Sequence, residues 1–269
     1  MKVGIFVDVS NIVMNGGFGM RYDILHAFAC RDGASAMRLN AYVSFDQERA
    51  KTDSLYLDKQ ERFHSVLRDL GYKVIIKETK WYKDETGSRI GKSNVDLDLA
   101  VDALLQSNSL DRVMLVTGDG DFVQVVKALQ NSGCRVETIA FENVSADLRK
   151  EVDVFTSGYL IPGLLPIVGE EKTKWGTDGW VRGVIITFDP AKHFGFFRFI
   201  KDINAKLWVT DSREPDSAYQ TVYFNEKDFP SSVDIPGNFK RNTVFEFKVE
   251  TSGEEKYHAS NIRMIRART

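Results

Sequence analysis

Val3-Gly4-Ile5-Phe6-Val7-Asp8 is an unbroken apolar run closed by a carboxylate, and Val113-Met114-Leu115-Val116-Thr117-Gly118-Asp119-Gly120-Asp121 repeats the pattern later in the chain. Short apolar runs bounded by turn residues suit buried strands. Outward from these two, residues 38–45, 72–77 and 135–141 read as further strands, while residues 57–70, 94–107 and 121–132 carry apolar positions at helical spacing. Gly71 and Gly133 stand where helix C-caps are expected. Strand and helix in alternation imply a mainly parallel sheet covered on both faces, so residues 1–165 are expected to form a three-layer α/β sandwich.

After Pro162 the pattern changes. Residues 166–178 are mostly polar and contain glycine, as a linker would. Beyond them, Trp180 to Phe188, Gly195 to Ile200, Val222-Tyr223-Phe224 and Val244 to Val249 are short strand-like runs with no helical spacing between them. Residues 179–269 are therefore expected to form a small all-β barrel of the OB type.

Composition limits the function classes. The chain has 269 residues and a net charge of −2. Residues 1–165 hold 20 Lys and Arg against 23 Asp and Glu, and residues 166–269 hold 16 against 15. Neither part has the global basic footprint of a non-specific nucleic-acid binder, so any such contact is a local patch. The lack of an apolar stretch of about 18 residues argues against a membrane span, and Asp8 does not suit a signal peptide. Cys30 and Cys134 are too few for a disulfide framework or a thiolate metal site. They are expected to be buried and structural, and the expected location is the cytoplasm. His26, His64, His193 and His258 are scattered without metal-ligand spacing and read as surface or packing residues.

The carboxylates are more informative. In an open parallel sheet, chemistry gathers beyond the carboxyl ends of the strands. Asp8, Asp119 and Asp121 follow strand-like runs, and Asp96 opens an amphipathic helix, so all four are candidates to converge there. Converged carboxylates repel, by roughly 1 kcal/mol per pair at about 4 Å in water and about 4 at an effective dielectric near 20. A hard divalent cation relieves that repulsion, which makes Mg²⁺ or Mn²⁺ the expected cofactor. Ser10 is placed to orient a water or a phosphate, Thr117 to support a carboxylate, and Lys92 to offset charge on a phosphorane. Asp102 lies about 240° around the helix from Asp96, which suits a helix-positioning role better than a shared site, and Asp98 lies on its face.

Phe6 to Asn11, Lys92 to Ala103 and Val116 to Phe122 together resemble the NYN family, relatives of the PIN nucleases. Ser145, Leu148, Asp153 and Phe155 resemble its closing segment. The resemblance implies a metal-dependent ribonuclease over residues 1–160. It assigns Asp8, Asp96, Asp119 and Asp121 as metal ligands and, with Asn11, as catalytic residues. Whether one metal or two is used stays open, and an endonucleolytic cut is the expected mode.

Lys192-His193-Phe194-Gly195-Phe196-Phe197 resembles the first ribonucleoprotein motif of cold-shock domains, and Val222-Tyr223-Phe224-Asn225 the second. This resemblance implies single-stranded RNA as partner, with Phe194, Phe196 and Tyr223 stacking on bases and Lys192 meeting a phosphate. Thr187, His193 and Asn225 depart from the family pattern, and residues 201–220 form a longer insertion that either extends or covers the face. The expected protein is a metal-dependent ribonuclease tethered to an RNA-holding barrel. A non-catalytic RNA-binding regulatory protein is the alternative. No membrane partner is expected, and homo-oligomerisation is left open.

Overall fold

In the computed structural model the apolar run after Met1 forms the central strand β1 (Lys2–Asp8), with β2 (Ser35–Phe45) and β3 (Lys73–Glu78) following on one side. A separate hairpin comes next, β4 (Lys80–Lys83) with β5 (Arg89–Lys92). The chain then crosses to the other side of β1 as β6 (Arg112–Val116), β7 (Arg135–Ala140) and β8 (Val154–Ser157). The six-stranded order is β3-β2-β1-β6-β7-β8, and the pairs β2–β3, β1–β2, β1–β6 and β6–β7 are parallel. The helices are α1 (Val9–Ile12), α2 (Tyr22–Ala29), α3 (Gln47–Thr52), α4 (Ser54–Asp69), α5 (Val95–Gln106), α6 (Val123–Asn131) and α7 (Ala146–Glu151). The expected α/β sheet is thus present. The described residues are 1–83, 88–170, 174–231, 233, 235, 243–251 and 256–265.

The winding reverses between β1 and β6. Such a switch point opens a crevice past the carboxyl ends of the two strands, where helices cannot cover both sides at once. Val7 is paired with Val116 there, so Asp8 and Thr117 leave the sheet side by side. Behind the crevice, Phe6, Leu99, Val113, Leu115 and Phe122 share one buried cluster that holds α5 and the start of α6 against the sheet. Gly71 has φ +87, the left-handed conformation that lets α4 end and β3 begin within a few residues. Helix α2 and the β4–β5 hairpin had no clear sequence signal. Cys134 is buried as expected, but Cys30 is only partly so.

The opposite edge of the sheet holds a charged cluster. Arg31 Nη2 donates to Glu137 Oε2 at 2.5 Å, and Arg112 Nε lies 3.5 Å from Glu137 Oε1. All three side chains are 3–5% exposed.

The contacts of the chain divide it into two units, Met1–Phe18 with Tyr22–Thr156, and Gly19–Arg21 with Ser157–Thr269. The second contains β9 (Trp180–Asp189), β10 (Phe194–Ile200), β11 (Tyr219–Asn225), β12 (Val244–Thr251) and β13 (Tyr257–Met264). These strands close into a barrel in the order β10-β11-β13-β12-β9, with β11 and β13 parallel and the other pairs antiparallel. Inward residues Phe197, Phe199, Val222, Phe224, Phe245 and Phe247 fill it. Gly195 is required because a Cβ there would meet Thr187 O at 2.4 Å and the Phe224 ring at 2.5 Å. Trp175 packs against this core and donates to Ile200 O at 2.8 Å. No helix among the described residues is long and apolar enough to cross a membrane.

Candidate functional site

Asp8 ends β1 and caps α1. Its Oδ1 accepts the Asn11 N–H at 3.0 Å, satisfying a donor that the first helical turn leaves unpaired. Asn11 in turn reaches across the switch point, its Oδ1 accepting the Gly118 N–H at 2.9 Å. The first and third sequence motifs are thereby joined by a single side chain. Asp119 caps the next turn, accepting the Asp121 N–H at 3.0 Å, while Thr117 Oγ1 accepts the Asp119 N–H at 3.2 Å. Thr117 therefore positions a backbone rather than a carboxylate. Removing the Asn11 link by Asn11→Ala leaves the Gly118 N–H without its partner, and we expect a loss of about 1–2 kcal/mol in urea unfolding.

Burial separates the four candidates. Asp8 is 2% exposed, Asp119 is partly buried, and Asp96 and Asp121 are exposed at the rim. Burial raises the Asp8 carboxyl to about 6, against the lowering effect of the Asn11 N–H, and the charges of Asp96 and Asp119 raise it further. Asp96 is also raised, by burial first and then by Asp119 and Asp121. The Asp8 and Asp96 carboxyls also act on each other. Asp8, Asp96, Asp119 and Asp121 are therefore within electrostatic reach of one another.

The oxygen-only donor set suits a hard cation, and the mutual repulsion that raises Asp8 and Asp96 is what a positive charge would relieve. Among the described residues, no group of three or more His, Cys, Asp or Glu side chains is close enough to hold an ion as it stands. Mg²⁺ keeps several waters and commonly takes only one or two carboxylates directly, so a complete protein cage is not needed.

The other acidic residues of α5 turn elsewhere. Asp102 Oδ2 accepts from Tyr42 OH at 2.8 Å, fastening α5 to β2, and Asp98 pairs with Lys77 Nζ at 2.7 Å. Ser10 spends its hydroxyl on Ser44 at 3.0 Å, and Ser44 lies 2.5 Å from Ser93 just before α5. Ser44, Ser93 and Tyr42 were not legible as site residues, because their partners are 34 to 60 positions away and become neighbours only through strand register. The side chain of Lys92 lies outside the described residues.

On the barrel, alternation along β10 and β11 turns Phe194, Phe196 and Tyr223 outward from the core residues between them. Phe194 stacks on Tyr223 with centroids 5.8 Å apart, and Phe196 meets both edge-on at 5.9 and 6.0 Å. His258, opposite Tyr223 on β13, extends the patch at 5.8 Å. Its signal was absent from the sequence, since only the parallel β11–β13 pairing brings it there. Lys192 is exposed and 3.9 Å from Asp189. His193 has φ +56, a conformation that favours glycine, and is held by Glu226 Oε2 at 2.5 Å from Nδ1. Asn225 caps the turn of residues 226–228. The insertion meets the outward face at Thr221, where Ser212 Oγ lies 2.5 Å from Thr221 Oγ1.

The model of the NYN domain family matches residues 2–164. Low amplitude and bright protein LabA of Synechococcus elongatus is 25% identical over 159 residues, which is 56% of this chain and 81% of that protein. A protein of unknown function from Vibrio parahaemolyticus, known as a crystal structure, shares 26% identity with a TM-score of 0.47, covering 58% of this chain and 91% of its own.

Proposed function

The chain belongs to the NYN domain family, and from that premise and the carboxylate geometry we propose that its first unit is a metal-dependent ribonuclease acting on single-stranded RNA. The observation that carries this reading is the buried Asp8 carboxyl, held near pH 6 beside two further carboxylates in the crevice at a switch point. Mg²⁺ or Mn²⁺ would be held by Asp8, Asp96 and Asp119, with Asp121 at the rim, and would polarise the scissile phosphodiester and acidify a bound water. The chain's own residues prepare that site. Asn11 fixes the distance between the two strand ends, and Thr117 sets the backbone that presents Asp119. Because burial and the neighbouring carboxylates raise the Asp8 carboxyl, a cation would compete with its proton, and affinity for the metal would rise with pH.

The barrel supports the RNA half of the reading. Its closed five-stranded barrel carries an outward aromatic patch on the segments that resemble cold-shock motifs, and rings of this kind stack on unpaired bases of any sequence. Tethered to the crevice, it would raise the local concentration of the strand. Phe194→Ala or Tyr223→Ala is expected to weaken binding to a fluorescent oligoribonucleotide by about 5-fold or more, from roughly 1–3 kcal/mol per stacked base. Unchanged anisotropy curves would assign the patch a packing role. Two free thiols suit a reducing compartment, and on that ground we place the chain in the cytoplasm.

The deciding experiment incubates the purified chain with single-stranded RNA and Mn²⁺ beside its Asp8→Asn and Asp96→Asn variants. Cleavage undiminished in both rejects the crevice as the catalytic site. A non-catalytic RNA-binding role is the second reading, favoured by the outward rings of the barrel, which would bind RNA without any ion. RNA binding that persists in chelator, with no product formed when Mn²⁺ is restored, would establish it.

A further inference from the structure

The outward face of the barrel does not end at its three rings. Register sets Phe194 opposite Asn225, Phe196 opposite Tyr223 and Arg198 opposite Thr221. Side chains alternate along a strand, so Arg198 follows Phe194 and Phe196 on one face of β10, and Tyr219 and Thr221 precede Tyr223 on the same face of β11. Arg198 leans across to β11, and its guanidinium carbon lies 4.7 Å from the centroid of the Tyr219 ring. Arg198, Tyr219 and Thr221 are all partly exposed.

The charge of Arg198 is not spent on a carboxylate. It forms no ion pair among the described residues, and its cross-strand neighbours Val184 and Thr221 are uncharged. The other end of the face differs. There Lys192 lies 3.9 Å from Asp189, His193 Nδ1 lies 2.5 Å from Glu226, and His258 Nε2 lies 2.9 Å from Asp228. A polyanion laid across the rings would therefore meet carboxylates beside Phe194 and uncompensated positive charge beside Phe196. The insertion borders the Arg198 end, where Ser212 Oγ lies 2.5 Å from Thr221 Oγ1, and it leaves Phe196 and Tyr223 partly exposed.

From this arrangement we propose that Arg198, seated on Tyr219, is a phosphate-binding site that carries single-stranded RNA past Phe196 toward the insertion. It deepens the RNA reading of the barrel and rests on it. A guanidinium stacked on a ring keeps its N–H edge for donation, and its fork matches two phosphate oxygens. Tyr219 positions the group, and Arg198 makes the contact.

The test titrates the full chain with a fluorescent oligouridylate in chelator over a range of salt concentrations. Arg198→Gln is expected to lower the slope of log affinity against log salt by about 0.7, the share of one phosphate contact on a single strand, and to weaken binding about 5-fold near 0.1 M salt. Arg198→Lys keeps the charge and should keep the slope. Tyr219→Leu removes the support but no charge, so affinity should fall by about 2-fold or more with the slope retained. Unchanged affinity in Arg198→Gln overturns the proposal, and so does a weaker affinity at unchanged slope, which would mean a packing role. Phe194→Ala and Tyr223→Ala in the same titration separate the two readings. If they weaken binding while Arg198→Gln does not, this site alone is lost, whereas a parent chain that binds no RNA rejects both.

Discussion

Asp8→Asn is expected to lower the cleavage of single-stranded RNA in Mn²⁺ by about 10³-fold or more, and at the same time to stabilise the metal-free chain above pH 7. The first effect follows from removing the most buried oxygen anion of the crevice, since losing several kcal/mol of transition-state charge stabilisation slows a reaction by that factor. The second has the opposite sign because burial, the neighbouring Asp96 and the neighbouring Asp119 all disfavour the Asp8 anion. Its folded value of about 6 lies above the ordinary 3.8, so the native state holds this proton more tightly than the unfolded chain does. That contribution is fully present below pH 4 and is lost as pH rises through about 6. By pH 8 the loss amounts to about 3 kcal/mol.

The amide keeps an acceptor for the Asn11 N–H and cannot ionise, so the variant escapes this loss. Urea unfolding of both chains in chelator at pH 5 and pH 8 measures it. The stability difference between them should shift toward the variant at the higher pH, and Mn²⁺ should reverse it by binding the native chain alone. A difference that does not change with pH would mean that Asp8 is already ionised in the metal-free protein and that its surroundings do not raise it.

Glu137→Ala is expected to destabilise the first unit by about 3–5 kcal/mol without touching the chemistry. Glu137 faces Arg31 at 2.5 Å and Arg112 at 3.5 Å, all three nearly fully buried at the amino edge of the sheet. Truncating the carboxylate leaves two buried guanidinium groups with Asp32 as a remaining anion, 3.5 Å from Arg112 and 3.9 Å from Arg31. Burial already lowers the Arg112 guanidinium. Arg135 also bonds Glu137 but is 53% exposed, so Arg135→Ala should change stability by less than about 1 kcal/mol. Denaturant midpoints compare the two directly. A Glu137→Ala chain as stable as its parent would mean that solvent reaches the cluster. Because the crevice lies at the other end of the parallel strands, the rate of RNA cleavage by the folded variant should be unchanged.

Much of the site was legible because its signals are local. An aspartate directly after an apolar run declares itself at the end of a strand, and the alternation of strand and helix sends those ends to one edge. The closing carboxylates of β1 and β6, the first turn of α5 and the outward rings of β10 and β11 all follow from periodicity within a few residues. Asp98 and Asp102 could be set apart from Asp96 by helical angle alone, and both bond partners on the neighbouring strands.

What the sequence determined by itself was therefore the layer architecture, the edge at which the carboxylates gather and the alternation that exposes an aromatic face, because each depends on the repeat of a single element. The tertiary structure decided which distant residues become neighbours. It joined Asn11 to Gly118, Ser10 to Ser44 and Ser93, Arg31 to Glu137 and Tyr223 to His258. Those contacts are set by strand order and register, and the depth at which Asp8 is buried is set by the packing around it. A carboxylate's proton affinity depends on how much water and how many charges surround it, and only the folded chain supplies both.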